Sequence, residues 1–103
     1  MRWIRMDTEL ENFIKNVNVK LNLKQVIKNL EFTQQNDMYY YKEIEGKNVH
    51  VKFEQDEMVL WLSGDTKKYT KSYKSLRSEK DRGLYTELDY INETINLIVK
   101  GGN

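Results

Sequence analysis

The stretch MYYYKEIEGKNVHVKFEQDEMVLWLS, Met38 to Ser63, decides the fold. Three runs rich in β-branched and aromatic residues, Met38 to Glu45, Asn48 to Glu54 and Met58 to Ser63, are separated by Gly46-Lys47 and by Gln55-Asp56. Short alternating runs broken by two-residue turn signals are the pattern of antiparallel hairpins. The stretch therefore predicts a three-stranded antiparallel meander. A loop at Gly46-Lys47 sets Ile44 opposite Val49 and Tyr40 opposite Phe53. A loop at Gln55-Asp56 sets Phe53 opposite Met58 and Val51 opposite Leu60.

Side chains alternate between the two faces of a sheet. One face then collects Tyr40, Ile44, Val49, Val51, Phe53, Met58, Leu60 and Leu62, interrupted by Lys42, whose stem can snorkel out at an edge. A slip of one residue would bury His50, Lys52 and Glu54 instead, so this is the core face. The other face collects Tyr39, Tyr41, Glu43, His50, Lys52, Val59 and Trp61, a mixed aromatic and charged surface.

Upstream, Thr8 and Glu11 fit a capping box, and Leu10, Phe13, Ile14 and Val17 follow at helical spacing. Residues 16–23 alternate strictly between asparagine or lysine and an aliphatic residue, and asparagine is a weak helix former. Leu23, Val26, Ile27 and Leu30 then return to helical spacing. The expectation is two N-terminal helices, about 8–17 and 22–31, with a short strand at 17–23 as the alternative. Downstream, Leu84, Leu88, Ile91, Ile95 and Ile98 outline an amphipathic helix that Gly101-Gly102 would stop. The predicted fold is α+β, one domain over residues 1–103, with the meander packed on one face by two N-terminal helices and the C-terminal helix.

Charge is near balance overall, at +1, but residues 67–82 hold Lys67, Lys68, Lys71, Lys74, Arg77, Lys80 and Arg82 against two acidic residues. Tyr69, Tyr73 and Leu76 are spaced within this segment as in a helical turn or two. The chain has no cysteine, which removes disulfides, thiolate metal sites and cysteine nucleophiles. Its single histidine, His50, lacks the partners a metal site needs, so neither metal nor cofactor is expected. No phosphate-binding glycine loop, nucleophile elbow or zinc-protease motif occurs, and the chain is not expected to be an enzyme.

No apolar run approaches the length of a membrane span, and Met1 to Met6 is too short and too charged for a signal peptide, so no membrane contact and a cytoplasmic location are expected. The chain has neither alanine nor proline but holds 13 lysines, 10 asparagines, 7 isoleucines and 7 tyrosines. Alanine is the best helix former, so folding physics does not explain its absence. The bias follows AT-rich codons and suggests a phage or mobile element as the source.

These readings converge on a small protein-binding module, an inhibitor or regulator of a host or defence protein. Its contact surface would be Tyr39, Tyr41, Glu43, His50, Lys52 and Trp61, residue types that carry interface energy. A nucleic-acid-binding regulator using the seven basic residues of 67–82 is the alternative, and an enzyme without a recognisable motif is a third. An exposed edge strand leaves homodimerisation open.

Overall fold

A computed structural model describes the backbone of residues 2–101 and the side chains of residues 8–101. The chain is α+β, but its sheet has five strands, not three, and a single helix precedes it, not two. The order is α1 (Arg2–Asn29), β1 (Thr33–Gln34), β2 (Tyr39–Ile44), β3 (Lys47–Phe53), β4 (Glu57–Leu62), β5 (Lys68–Ser72), α2 (Tyr73–Asp81) and α3 (Glu87–Lys100). All pairings are antiparallel, in the order β1-β2-β3-β4-β5.

The expected break near Asn16, and the alternative strand at 17–23, give way to continuous helix. No proline or glycine interrupts residues 2–29, so only weak propensities oppose the helix. Tertiary packing overrides them, because Asn16, Val19, Leu23 and Ile27 recur on one face and the last three are sealed in the core. Thr8, expected at an N-cap, lies within the helix. The stripe Leu10, Phe13, Ile14 and Val17, expected in the core, is exposed. α1 ends in a Schellman turn in which Glu31 is left-handed (φ 66°) and the Phe32 N–H donates to the Ile27 carbonyl at 3.2 Å.

The first hairpin turns one residue earlier than expected. Glu45 (φ 53°) and Gly46 (φ 79°) form the two-residue turn, both left-handed as the primed hairpin turn requires. Tyr40 therefore pairs with Val51, and Ile44 with Lys47, a register two residues from the expected one. A shift of two preserves the faces, so the core set survives it. The second hairpin has the expected pairs, Phe53 with Met58 and Val51 with Leu60. Lys42 shares the face of its partner Val49, and its ammonium donates to the Leu30 carbonyl at the end of α1 at 2.5 Å.

The two strands absent from the sequence reading lie at the sheet edges. Lys68–Ser72, whose Tyr69 was read as part of a helical turn or two, instead pairs with Glu57–Trp61 of β4. Without it, the apolar β4 would expose a full row of backbone donors and acceptors. The last element begins at Glu87, after a capping box of Thr86 and Asp89, and Gly101 forms its C-cap. Gly102 lies outside the described residues. Leu84 and Leu88 are exposed, while Tyr90, Ile91, Thr94, Ile98 and Val99 turn inward.

α3 lies across β3 and β4, and α1 packs against α2 and α3. All three helices cover the same sheet face. The Lys24 ammonium sits 5.7 Å from the Phe53 ring centroid, which carries α1 onto the sheet as well. Val49, Val51, Phe53, Met58 and Leu60 are fully buried beneath them, together with Leu23, Ile27, Leu76 and Ile91.

Two polar devices tie this layer together. The Tyr73 hydroxyl donates toward the Glu54 and Glu57 carbonyls, at 2.7 and 3.0 Å, fixing the start of α2 to the second hairpin. Burial, with the nearby charges of Glu54, Asp56 and Glu57, pushes its phenol well above the usual range and keeps it a donor. Buried Glu87 accepts from Lys80 at 2.8 Å and from Asn22 at 3.1 Å, joining α3, α2 and α1. Burial alone would raise its carboxyl pKa, but the hydrogen bonds from Lys80, Asn22 and its own backbone outweigh that and hold it below the usual carboxylate range.

A folded pKa below the unfolded one makes a contribution that is complete above about pH 4.5 and fades as pH falls through the folded value. Glu87→Ala should therefore cost about 2 kcal/mol at pH 7, the scale of hydrogen bonds to a charged group. The gap between variant and wild type in urea unfolding should narrow steadily as pH falls below about 4.5. A gap independent of pH would refute this role for Glu87.

Candidate protein-binding site

The helices leave the opposite face of the sheet uncovered. The strand register places two rows of side chains on it. One row runs Tyr41, His50, Trp61, Lys68 across β2, β3, β4 and β5, and the next runs Tyr39, Lys52, Val59, Thr70. Facing residues of an antiparallel pair stand close enough for their side chains to touch.

The aromatic groups of both rows form one cluster. Tyr39, His50 and Trp61 lie in near-parallel planes, tilted by 9–17° from one another, with centroids 5.3 to 6.2 Å apart. Tyr41 joins at 6.2 Å from Tyr39, tilted by 38°. The Tyr39 hydroxyl and His50 Nδ1 share a hydrogen bond of 2.5 Å that spans β2 and β3. The Lys68 ammonium stands 5.6 Å from the Trp61 ring centroid, within cation–π range.

Beside the cluster runs a groove of ≈ 780 Å³. Its apolar lining is Met38, Tyr39, Val59 and Trp61, and its charged lining holds both signs, with Lys52 and Lys68 against Glu54 and Glu57. Lys52 and Glu54 approach to 3.6 Å, with both side chains exposed. Screening by water makes such a pair weak, so either partner can turn to an incoming group at little cost.

Five of the six residues expected at the contact surface are thus brought together: Tyr39, Tyr41, His50, Lys52 and Trp61. Glu43 stands apart near the first hairpin turn, opposite Asn48. Lys68, Met38 and Thr70 belong to the surface and were not read as part of it. Lys68 and Thr70 sit on β5, and the alternation of Lys-Tyr-Thr-Lys-Ser, residues 68–72, is the signal that would have placed them.

The basic segment is not one surface. Lys68 faces the aromatic cluster, whereas Lys71, odd in the strand, faces the helices and pairs with Glu79 at 2.6 Å. Lys80 is held by Glu87 at 2.8 Å, and Arg77 donates to Asn12 at 2.9 Å. The Lys67 ammonium stands over the Tyr69 ring at 4.9 Å. Lys74 and Arg82 are exposed on α2 and at its C-cap. Three of the seven cations are therefore held by polar side chains within the fold and two stand over aromatic rings, which leaves Lys74 and Arg82 exposed.

Among the described residues, no group of three histidine or acidic side chains is placed to hold a metal ion. No described helix is long and apolar enough to cross a membrane. Comparison with protein-family models, with curated proteins and with solved structures returns no match.

The Tyr39–His50 bond crosses two strands at a half-buried position. Tyr39→Phe should cost about 1 kcal/mol or less in thermal or urea unfolding. It should also shift the His50 Nδ1 resonance in ¹⁵N NMR. An unchanged resonance would mean that the bond does not form in solution.

Proposed function

We propose that this chain is a small non-catalytic binding module that docks a protein partner on the outer sheet face. The observation that carries this reading is the Tyr39–Tyr41–His50–Trp61 cluster, on the one sheet face that no helix covers. Rigid, amphipathic aromatic rings supply contact area at low entropic cost and dominate interface energetics. Charges of both signs around the groove favour a protein surface over a polyanion, since Glu54 and Glu57 would repel phosphates that Lys52 and Lys68 attract.

A stoichiometric inhibitor or regulator of a host or defence protein, acting in the cytoplasm and encoded by a phage or mobile element, fits the codon bias and the absence of catalytic motifs. An antagonist of this kind needs only a surface and a rigid frame behind it. The five-stranded sheet, buried on its far side, provides that frame.

The test is a Trp61→Ala/Tyr41→Ala double variant. Both side chains are partly exposed, so its circular dichroism should match wild type. Affinity for the partner that the wild-type chain captures from host lysate should fall by about 30-fold or more, as for a truncated hot spot. Retained affinity, or a variant that no longer folds, would end the reading. So would DNA or RNA binding that weakens steeply with salt and is abolished by charge reversal at Lys67, Lys68 and Lys71.

A further inference from the structure

α1 carries a second apolar surface that the core does not use. Val19, Leu23 and Ile27 face the body, while Leu10, Ile14, Val17 and Leu21 lie around the far side of the helix, with Phe13 beside them. Their exposures are 56% for Leu10, 64% for Phe13, 48% for Ile14, 38% for Val17 and 55% for Leu21. Single exposed apolar residues are ordinary, but a contiguous stripe of five is a contact surface. The molecule is also elongated. The principal extents are 57 × 28 × 25 Å. The radius of gyration is 15.2 Å, against roughly 13 Å for a compact chain of this length.

The geometry points to a second copy of this chain as the occupant of the stripe. The two α1 helices would run antiparallel, Leu10 of one copy level with Leu21 of the other and Ile14 level with Val17. Spacing supports this first. Leu10, Ile14, Val17 and Leu21 follow one another at intervals of 4, 3 and 4 residues, the 3.5-residue period of a two-helix seam. That seam reads the same in both directions, as a two-fold interface requires.

Charge selects the orientation. Residues 8–18 hold Glu9 and Glu11 against Lys15, whereas residues 19–29 hold Lys20, Lys24 and Lys28 and no acidic residue. A parallel pair would align the two lysine-rich halves and both helix dipoles. The antiparallel pair sets the glutamate end of each copy beside the lysine end of the other. Area supports it too. A stripe on the order of 500 Å² per copy gives on the order of 1,000 Å² in the pair, the lower bound of a specific interface. A lipid surface suits the stripe less well, because Glu9 and Glu11 outnumber Lys15 around its N-terminal half, where membrane-surface helices carry basic residues.

Light scattering should show the mass rising from 12.4 kDa toward twice that value as concentration climbs from roughly 1 µM to roughly 500 µM. Ile14→Asp should remain monomeric with unchanged circular dichroism, and Leu10→Asp serves as an independent second variant. The chain has no cysteine, so single cysteines report geometry cleanly. Leu10→Cys and Leu21→Cys chains, mixed and mildly oxidised, should form the mixed disulfide. Neither should cross-link alone, because like positions would lie about 16 Å apart along the axis and a disulfide needs less than about 7 Å. A chain that stays monomeric throughout, or a dimer that survives both aspartate variants, would overturn the proposal. Self-cross-linking of Leu10→Cys would overturn the antiparallel pairing. Binding of the monomer to phosphatidylcholine vesicles, lost in Ile14→Asp, would assign the stripe to lipid instead.

Discussion

The alternation along β3 is the constraint on which both sides of the molecule depend. Val49, Val51 and Phe53 are fully buried under the helices, and His50 and Lys52 face away between them. β3 is the middle strand of the five, so its parity propagates through β2 and β4 to both edges. A one-residue slip would drive Lys52 into a layer with Leu23, Ile27 and Ile91, where a charge without a partner costs far more than any packing it could gain. The same step would dismantle the row Tyr41, His50, Trp61, Lys68 on the outer face. Core and contact surface are two consequences of one register.

That parity was legible because both hairpins lie in short, strongly alternating runs whose two faces differ sharply in polarity. The exact turn of the first hairpin was not. Glu45-Gly46 and Gly46-Lys47 both offer a glycine, and the choices differ by two residues, which leaves every side chain on its face and so leaves no trace in the hydrophobic pattern. β5 was missed for a different reason. Tyr69, Tyr73 and Leu76 fall at helical spacing, but Tyr73 and Leu76 belong to α2 while Tyr69 belongs to the strand before it. The shared spacing spans a boundary between elements. In α1, Asn16 and Asn18 suggested a break, yet packing of Val19, Leu23 and Ile27 over three turns outweighs a few tenths of a kcal/mol per asparagine. Of the contact surface, the residues on β2, β3 and β4 followed from the register, and those on β5 were lost along with the strand.

The sheet edges bear on how this chain meets other chains. β1 is two residues long, and β5 carries Lys68 and Lys71. Short edges and edge lysines are the devices by which sheet proteins discourage strand-to-strand association. An edge strand was one expected route to a dimer, and these edges are poorly suited to it.

The apolar stripe of α1 has no such protection, and its position relative to the sheet matters. α1 packs on the helix side of the molecule, and its own exposed stripe points away from that layer, while the aromatic cluster sits on the far side of the sheet. Association along α1 would therefore place two bodies outside a central helix pair, each with its outer sheet face still open. Two equal surfaces on one particle turn a second contact into an intramolecular event whenever the target is itself multimeric or repeated. The gain in avidity then requires no new contact, only a spacing the target can match. For a chain of 103 residues, whose outer sheet face supplies one modest interface per copy, pairing through a helix stripe that the core does not use is a direct physical route to tighter binding.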